Sequence, residues 1–583
     1  MSEVWFHPAQ AIEKLALRTA KDSSFEGFDC AVRPADPRFA DFQINGALPY
    51  AKIKKQNPRA CAQSFVDALN ASGGFDSSLV EISIAGPGFI NFKLTPKFLR
   101  LWLEKFKGSK NLEEAAKEFY SGKRIVIDFP SPNTAKQMHV GHLRPMVIGE
   151  AIQRLLRFCG ADMICDNHIG DWGTNFGILI YGIKSSGYKL DANNENALEE
   201  LEQMYKAGSA KAKESEEAAN QAREELVKLQ NGDPENTALW NEINKVSRAA
   251  FDRMYKRMSV TTDITLGESF YRDKVGRIYK ELEECGLAEV DQGALVVFLK
   301  DHERFCKQPF IIRKKDGASN YASTDLATVL YRVEELKADE IIYVTDGRQQ
   351  DHFQQLFLTV DKWFDAKGYK KPKLRHVWFG TILGEDGKAI KTKSGEPVRL
   401  KALLDEARDR ALKIVKEKTP DMPEAEALEV AERIGVAALR YADLSQNRTG
   451  DYTFSWSKML AFDGNTAPYL MYAVARIHSI FRKIGIDLNG NFEEGAADLD
   501  TPQEIELARK LVALPAVFEL AGKLYFLRGL YELAGLFSTF YNSNKVIVED
   551  KAVMAKRLML CARTLEILET GLRLLGIEPL QKM

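Results

Sequence analysis

The sequence predicts an α/β core on a parallel sheet, with a small α/β domain ahead of it and an all-helical domain behind it. Three observations carry that prediction. A strand–loop–helix–strand run occupies residues 123–166. Strand signals then alternate with helical ones up to about residue 455. Beyond 455 only helical spacing is left. At 583 residues the chain has room for several domains, and the expected boundaries are 1–117, 118–455 and 456–583.

In the first domain, "AQAIEKLALRTAKD" has helical spacing. "LVEISIAGPGFINFKLTPKFLRLWLEKF" reads as strand, Gly-Pro-Gly turn, strand and helix. By strand alternation Phe92 faces the core. The central domain opens with the β-branched strand "KRIVIDF" (123–129). It runs into "PSPNTAKQMHVGHLRP", which precedes a helical pattern from Leu143 to Cys159. "ADMICDNHIGDWG" supplies a second strand and a polar turn. From about 193 to 260 the composition turns rich in Ala, Glu and Lys, which predicts a helical insertion. Strand signals return at "GALVVFL", "PFIIRKKDGASNYAS", "EIIYVTDGRQQDHF" and "HVWFGTIL". Four helical stretches close the chain, from "NTAPYLMYAVARIHSIFRKI" to "KAVMAKRLMLCARTLEILETGLRLLGI".

Composition excludes several classes. Hydrophobic residues make up 45% and charged residues 28%, an ordinary globular balance. No apolar run nears the ~18 residues of a membrane span, and no signal-peptide pattern opens the chain. The 7 cysteines are dispersed without a C-x-x-C pair, which predicts reduced thiols, no zinc site and a cytoplasmic setting. A net charge of -1 argues against blanket attraction to nucleic acid and leaves room for a local basic face.

The chemistry concentrates after the first strand of the parallel sheet. Ligands bind beyond the carboxyl ends of such strands. The helix starting near Leu143 offers free N–H groups to an anion. Gly141 permits close approach to the backbone. His139 and His142 can donate to phosphate oxygens and stabilise charge developing there, and Lys136 adds a point charge. There is no Walker A sequence and no G-x-G-x-x-G opening a helix, so neither the P-loop nor the dehydrogenase arrangement applies.

"HVGH" resembles the HIGH signature of class I aminoacyl-tRNA synthetases, and "GEDGKAIKTKSGEPVRL" (384–400) resembles their KMSKS loop. Thr392 replaces a serine, and Ile390 stands where the first lysine belongs, leaving Lys391 as the substitute. "SPNTAKQMHVGHLRP", "DNHIGDWGTNFGILI", "YASTDLAT", "GRQQDHF", "GNTAPYLMYAVARI" and the ending "LGIEPLQKM" together look like an arginyl-tRNA synthetase. That resemblance implies a class I Rossmann-type parallel-sheet catalytic domain. It also implies an N-terminal additional domain that holds the tRNA D-loop, and an all-α anticodon-binding domain. A dehydrogenase, another class I synthetase and a non-catalytic tRNA-binding relative are the competing readings. The intact histidines and lysine loop speak against the last.

The resemblance also distributes tasks. It places ATP at His139, Gly141, His142, Lys136, Lys393 and His352. It gives charge stabilisation of the leaving pyrophosphate to Lys136, Lys391 and Lys393. Arginine falls to Asp128, Asn133, Tyr321, Asp325 and Gln349, a set of acceptors suited to a planar guanidinium. Phe89 and Asn91 fall at the tRNA D-loop, and Tyr472, Arg476, Tyr541 and Met583 on the anticodon side. ATP with Mg²⁺, L-arginine and tRNA(Arg) are the implied ligands, and a monomer the implied state. The implied reaction forms arginyl-adenylate, then transfers arginine to a terminal ribose 2′-OH, with the tRNA required for activation.

Overall fold

The computed structural model describes residues 4–23, 25–36, 38–191, 194, 196–391, 395–488, 495–514 and 526–582, the side chains of 526–528 excepted. Lys393 and Met583 therefore lie outside the described residues. Two compact units are present: 1–119 with 469–573 and 578–583, and 120–468 with 574–577.

The chain begins α1 (Pro8–Asp22), β1 (Val32–Pro34), β2 (Phe42–Ile44), α2 (Ala47–Lys54), α3 (Pro58–Ala71), β3 (Val80–Ala85), β4 (Phe89–Leu94), α4 (Pro96–Lys105) and α5 (Ser109–Ala116). Its strands form an antiparallel sheet in the order β1-β2-β4-β3. Strand β4 gives way to α4 because Thr95 caps the helix at Phe98 N and Pro96 is pre-set for its first turn. Phe92 is fully buried, as alternation requires. Asn91, on the opposite face, is buried too, because Gln43 donates to its Oδ1 at 2.8 Å.

The second unit runs β5 (Arg124–Asp128), α6 (Leu143–Phe158), β6 (Asp162–Asp166) and α7 (Asn175–Ser186). The stretch read as an insertion is three helices, α8 (Ala197–Glu214), α9 (Glu216–Gln230) and α10 (Pro234–Arg257). There follow α11 (Glu268–Tyr271), α12 (Val275–Glu284), β7 (Ala288–Asp291), β8 (Ala294–Val297), β9 (Phe310–Arg313), α13 (Tyr321–Glu334) and β10 (Glu340–Tyr343). Then come α14 (Gln350–Lys367), β11 (Lys373–His376), β12 (Ile382–Leu383), α15 (Leu400–Lys418), α16 (Glu424–Leu444), β13 (Tyr452–Thr453) and α17 (Trp456–Met459). Helices α18 (Ala467–Ile484), α19 (Pro502–Ala513), α20 (Phe526–Ser543) and α21 (Lys551–Leu574) complete the described chain. Within the first unit, Arg509–Asp41 at 3.0 Å and Arg100–Asp498 at 2.7 Å tie the late helices to the early α/β part.

The central sheet is entirely parallel, in the order β11-β10-β5-β6. The chain leaves β5 for β6 on one side and later adds β10 on the other. The loops after β5 and β10 therefore diverge, and the crevice between them is the switch point where such sheets bind ligands. Helix α6 sits directly on the end of β5: a Cβ at Gly149 would lie 2.2 Å from the Phe129 ring.

Two strand expectations are refined. "GALVVFL" and "PFIIRKK" contribute β8 and β9 to a separate antiparallel sheet with β7. "HVWFGTIL" is not the outer parallel strand; that strand is the preceding Lys373–His376. Its charges hid it from a hydrophobic reading, because Lys373 and Arg375 pair with Glu340 of the neighbouring strand at 3.5 and 3.2 Å.

Candidate active site at the sheet switch point

The His139–His142 turn is built by its own two rings. His139 Nδ1 accepts from Gly141 N at 3.1 Å, and His142 Nδ1 accepts from His139 N at 3.1 Å. An Nδ1 that accepts carries no proton, so each neutral ring bears its proton on Nε2 as a donor. Burial pushes the His142 pKa down to about 3, with the neighbouring His139 adding to it. Burial and the nearby Arg399 lower that of His139. Both rings are thus neutral at pH 7. Gly141 is needed for a local reason: a Cβ there would lie 2.8 Å from His139 Cε1.

The turn is laced to the segment leaving the lysine-rich loop. Val140 N donates to Val398 O at 2.9 Å, and Leu400 N to Met138 O at 3.0 Å. Lys391 and Pro397 pair across the base of that loop, and Lys391 is exposed. Lys136 is exposed, with Nζ 5.9 Å from the centre of the Tyr205 ring.

The carboxylates fall into two groups. In the first, fully buried Arg332 spans Asp128 and Asp166, at 2.7 Å to each. Asp128 also accepts from Ser131 Oγ at 2.7 Å. Two carboxylates face one guanidinium, leaving one surplus negative charge or a proton on the pair. Burial, opposed by Arg332, raises the Asp166 pKa toward the second outcome. Asp128 is therefore already engaged within the chain.

The second group stands on α13, where the Asp325 side chain is only 18% exposed. Asn320 caps the helix through Ser323 N, which sets Tyr321 and Asp325 one turn apart. Tyr321 is 70% exposed. His352 Nε2 lies 2.6 Å from Asp325 Oδ2, so His352, expected at ATP, meets a carboxylate expected at arginine. Burial works against a charge on His352, and Asp325 outweighs it, so its pKa is raised. Gln349 ends the turn Gly347–Gln349 after β10 and is exposed. Asn133 is exposed and pairs with Gly170, whose added Cβ would lie 1.9 Å from Asn133 Oδ1.

Glu268 was missed in the sequence. It opens the short α11, where Asp171 accepts from Ser269 N at 2.9 Å and from Ser269 Oγ at 2.7 Å. Burial, with the charges of Asp325 and Asp171, pushes its carboxyl up to about 8. The same carboxylate is the first cause of a raised pKa at Tyr321. Glu268, Tyr321 and Asp325 thus share one acidic patch. No spacing in "GESFY" signals it, because the contact is made by the fold.

Residues 108–456 match the model of tRNA synthetases class I (R), catalytic domain. Residues 470–583 match the DALR anticodon binding domain, and 9–94 the arginyl tRNA synthetase N terminal domain. An arginine–tRNA ligase of Chromobacterium violaceum is 41% identical over 568 residues, 95% of this chain and 96% of its own. That of Saccharophagus degradans is 43% identical, covering 94% of each.

The chain belongs to the arginyl-tRNA synthetases.

It is an arginine–tRNA ligase that uses ATP, L-arginine and tRNA(Arg). The structure of the Plasmodium falciparum arginyl-tRNA synthetase superposes with a TM-score of 0.81 at 28% identity, covering 99% of both chains. The Thermus thermophilus one shares the fold with a TM-score of 0.80 at 23% identity, covering 99% of this chain and 100% of its own.

The residues expected at the RNA divide in the same terms. Tyr472 and Tyr541, 43% and 37% exposed, both face the Arg476 guanidinium, at 4.8 and 5.8 Å from their ring centres. The fold thus joins three residues drawn from α18 and α20 into one cluster. Phe89 opens β4 half-buried, while Asn91 is held under Gln43.

Proposed function

We propose that the switch-point crevice runs both steps of arginylation, with the guanidinium and the phosphates at opposite ends. The observation that carries this is the pair of Nδ1-accepting histidines, which leaves two Nε2 donors beside the base of the lysine-rich loop. His139 and His142 donate to the phosphates of ATP, and Lys136, Lys391 and Lys393 offset the charge of the departing pyrophosphate. Tyr321, Asp325 and Glu268 receive the guanidinium, which needs planar, multiple acceptors. His352, expected among the ATP ligands, is reassigned to orienting Asp325. Asn133 and Gln349 flank the α-amino and carboxylate end, and Asp128 with its Arg332 partner forms the negative floor.

The arginine carboxylate attacks the α-phosphorus, and pyrophosphate leaves. The terminal 2′-OH of tRNA(Arg) then attacks the acyl carbon, and AMP leaves. No protein nucleophile takes part; the gain comes from positioning and fixed donors. Buried acceptors left unpaired by an analogue that lacks a guanidinium support discrimination of about 10⁴. ATP arrives with Mg²⁺ held by its phosphates. Among the described residues no cluster of three or more His, Cys, Asp or Glu side chains is arranged to hold a metal. Tyr472, Arg476 and Tyr541 stack anticodon bases, and Phe89 with Asn91 meets the D-loop side. Mg²⁺, tRNA-dependent activation, monomeric action and a cytoplasmic setting rest on the family resemblance; among the described residues no helix is long and apolar enough to cross a membrane.

Arginine-dependent ATP–pyrophosphate exchange, with and without tRNA(Arg), tests the reading. Exchange should require arginine and tRNA together. Exchange by the protein alone would remove the tRNA requirement, and exchange that survives His142→Ala unchanged would remove the phosphate assignment.

A further inference from the structure

Helix α8 of the insertion touches both signature loops. Glu202, Tyr205 and Lys206 share one of its faces, as three- and four-residue spacing requires. The Arg399 guanidinium forks onto Glu202, with Nη1 at 2.7 Å from Oε2 and Nη2 at 3.0 Å from Oε1. Gln137 Nε2 reaches the same Oε2 at 3.3 Å. Lys206 lies 3.7 Å from Glu202 and 3.6 Å from Glu396. Tyr205 lies under Lys136. One carboxylate therefore joins the strand-side stem of the His139–His142 turn to the outgoing stem of the lysine-rich loop, where His139 and Arg399 also pair through their backbones.

The carboxylate is well placed to act as a fixed point. Its side chain is 15% exposed and that of Arg399 34%, so the fork is partly shielded from water. Arg399 holds the Glu202 carboxyl below its usual range, although burial opposes this. The helix behind it is seated without slack. Leu198 and Leu201 are buried, and α8 crosses α7 at two glycines. A Cβ at Gly208 would lie 2.7 Å from Ile178 O, and one at Gly182 would lie 2.4 Å from Met204 O. Such backbone contact leaves little room for α8 to shift against α7.

We propose that Glu202 is a positioning residue for adenylate formation: its fork to Arg399 and its contact with Gln137 set the distance between the lysine-rich loop and the histidine turn. This rests on the assignment of those two segments to ATP. Lysines from one stem and histidines from the other must meet a single triphosphate, and a displacement of about 1 Å costs on the order of a hundredfold in rate. Arginine binds at the other end of the crevice, so its affinity is not set by this link.

The test is ATP–pyrophosphate exchange with saturating tRNA(Arg), comparing Glu202→Ala, Glu202→Gln, Arg399→Ala and the Glu202→Ala/Arg399→Ala pair. Glu202→Ala should lower kcat on the order of ten- to a hundredfold, with the KM for arginine unchanged within about twofold. The double variant should be no worse than the poorer single one, because both remove one link. Glu202→Gln keeps the shape and should lose most of the same kcat, which separates the link from a folding defect. Retention of kcat within about twofold in Glu202→Gln, multiplied losses in the double variant, or an equal rise in the arginine KM would overturn the proposal. His142→Ala in the same assay separates the failures: if it stays active, the ATP assignment itself fails; if it is inactive while Glu202→Gln is active, only the positioning role fails.

Discussion

Arginine binding should release a proton, and Glu268 should be its source. In the free protein the Glu268 carboxyl is pushed up to about 8 by burial and by Asp325 and Asp171. At pH 7 it is then ~90% protonated. A guanidinium keeps its charge throughout, and beside the carboxyl it favours the ionised form. If binding returns the carboxyl to about 4.3, ~0.9 proton leaves per arginine at pH 7 and ~0.5 at pH 8. Linkage then makes binding ~50-fold tighter at pH 8 than at pH 6, about 2.3 kcal/mol. The sign for folding is opposite: a raised carboxyl pKa gives the free protein stability that is present at low pH and lost as pH climbs toward 8. Titration calorimetry at pH 7 in two buffers of different ionisation heat measures the released proton. His352 carries a raised pKa and contributes in both proteins, so the decisive number is the wild type minus Glu268→Gln. That difference should be ~0.9 proton. A difference under ~0.2, or a Glu268→Gln variant with the wild-type pH profile, would refute the assignment.

Other consequences are simpler to read. His142→Ala should lower the rate of adenylate formation about a hundredfold while arginine binding changes by less than about threefold; equal losses would make the ring structural. Gly170→Ala drives a Cβ to 1.9 Å from Asn133 Oδ1, so the arginine KM should rise about tenfold with the ATP KM unmoved. Arg476→Ala removes the cation between two exposed tyrosines and should raise the KM for tRNA(Arg) roughly five- to thirtyfold, leaving both small-substrate KM values alone. The Asp325–His352 pair raises the histidine pKa, so its stability is full below the ordinary histidine value and is lost as pH rises through the raised one. The gap in Tm between wild type and His352→Asn should therefore shrink from pH 6 to pH 9.

Local signals were legible in the sequence where local physics decides them. The strand ending at Asp128, the helix from Leu143 and the Thr95–Pro96 start of α4 follow from hydrophobic runs, free helix ends and proline geometry. The His139–His142 turn stood out in the sequence as a candidate phosphate site because of its position after a parallel strand, and the structure keeps it at the end of β5. What stayed hidden depends on partners far along the chain. Arg332 lies 204 residues from Asp128, so their buried pairing has no sequence signature. Glu268 gains its raised pKa only when the fold buries it and brings Asp325 and Asp171 beside it. His352 and Asp325 were both candidates in the sequence, but their contact was not legible: only the packing of α14 against α13 brings them together. Most of strand β11 stayed hidden because its charges are satisfied by Glu340, a contact that a hydrophobic pattern cannot show.

The central claim is that one crevice holds a guanidinium at Asp325, Glu268 and Tyr321 and a phosphate at His139 and His142. A crystal structure with a non-hydrolysable arginyl-adenylate analogue tests it most directly. The account predicts guanidinium nitrogens within hydrogen-bond reach of the Asp325 and Glu268 carboxylates, and the phosphate surrogate accepting from a histidine Nε2. A guanidinium seated away from both carboxylates, or a phosphate surrogate met by neither ring, would contradict it.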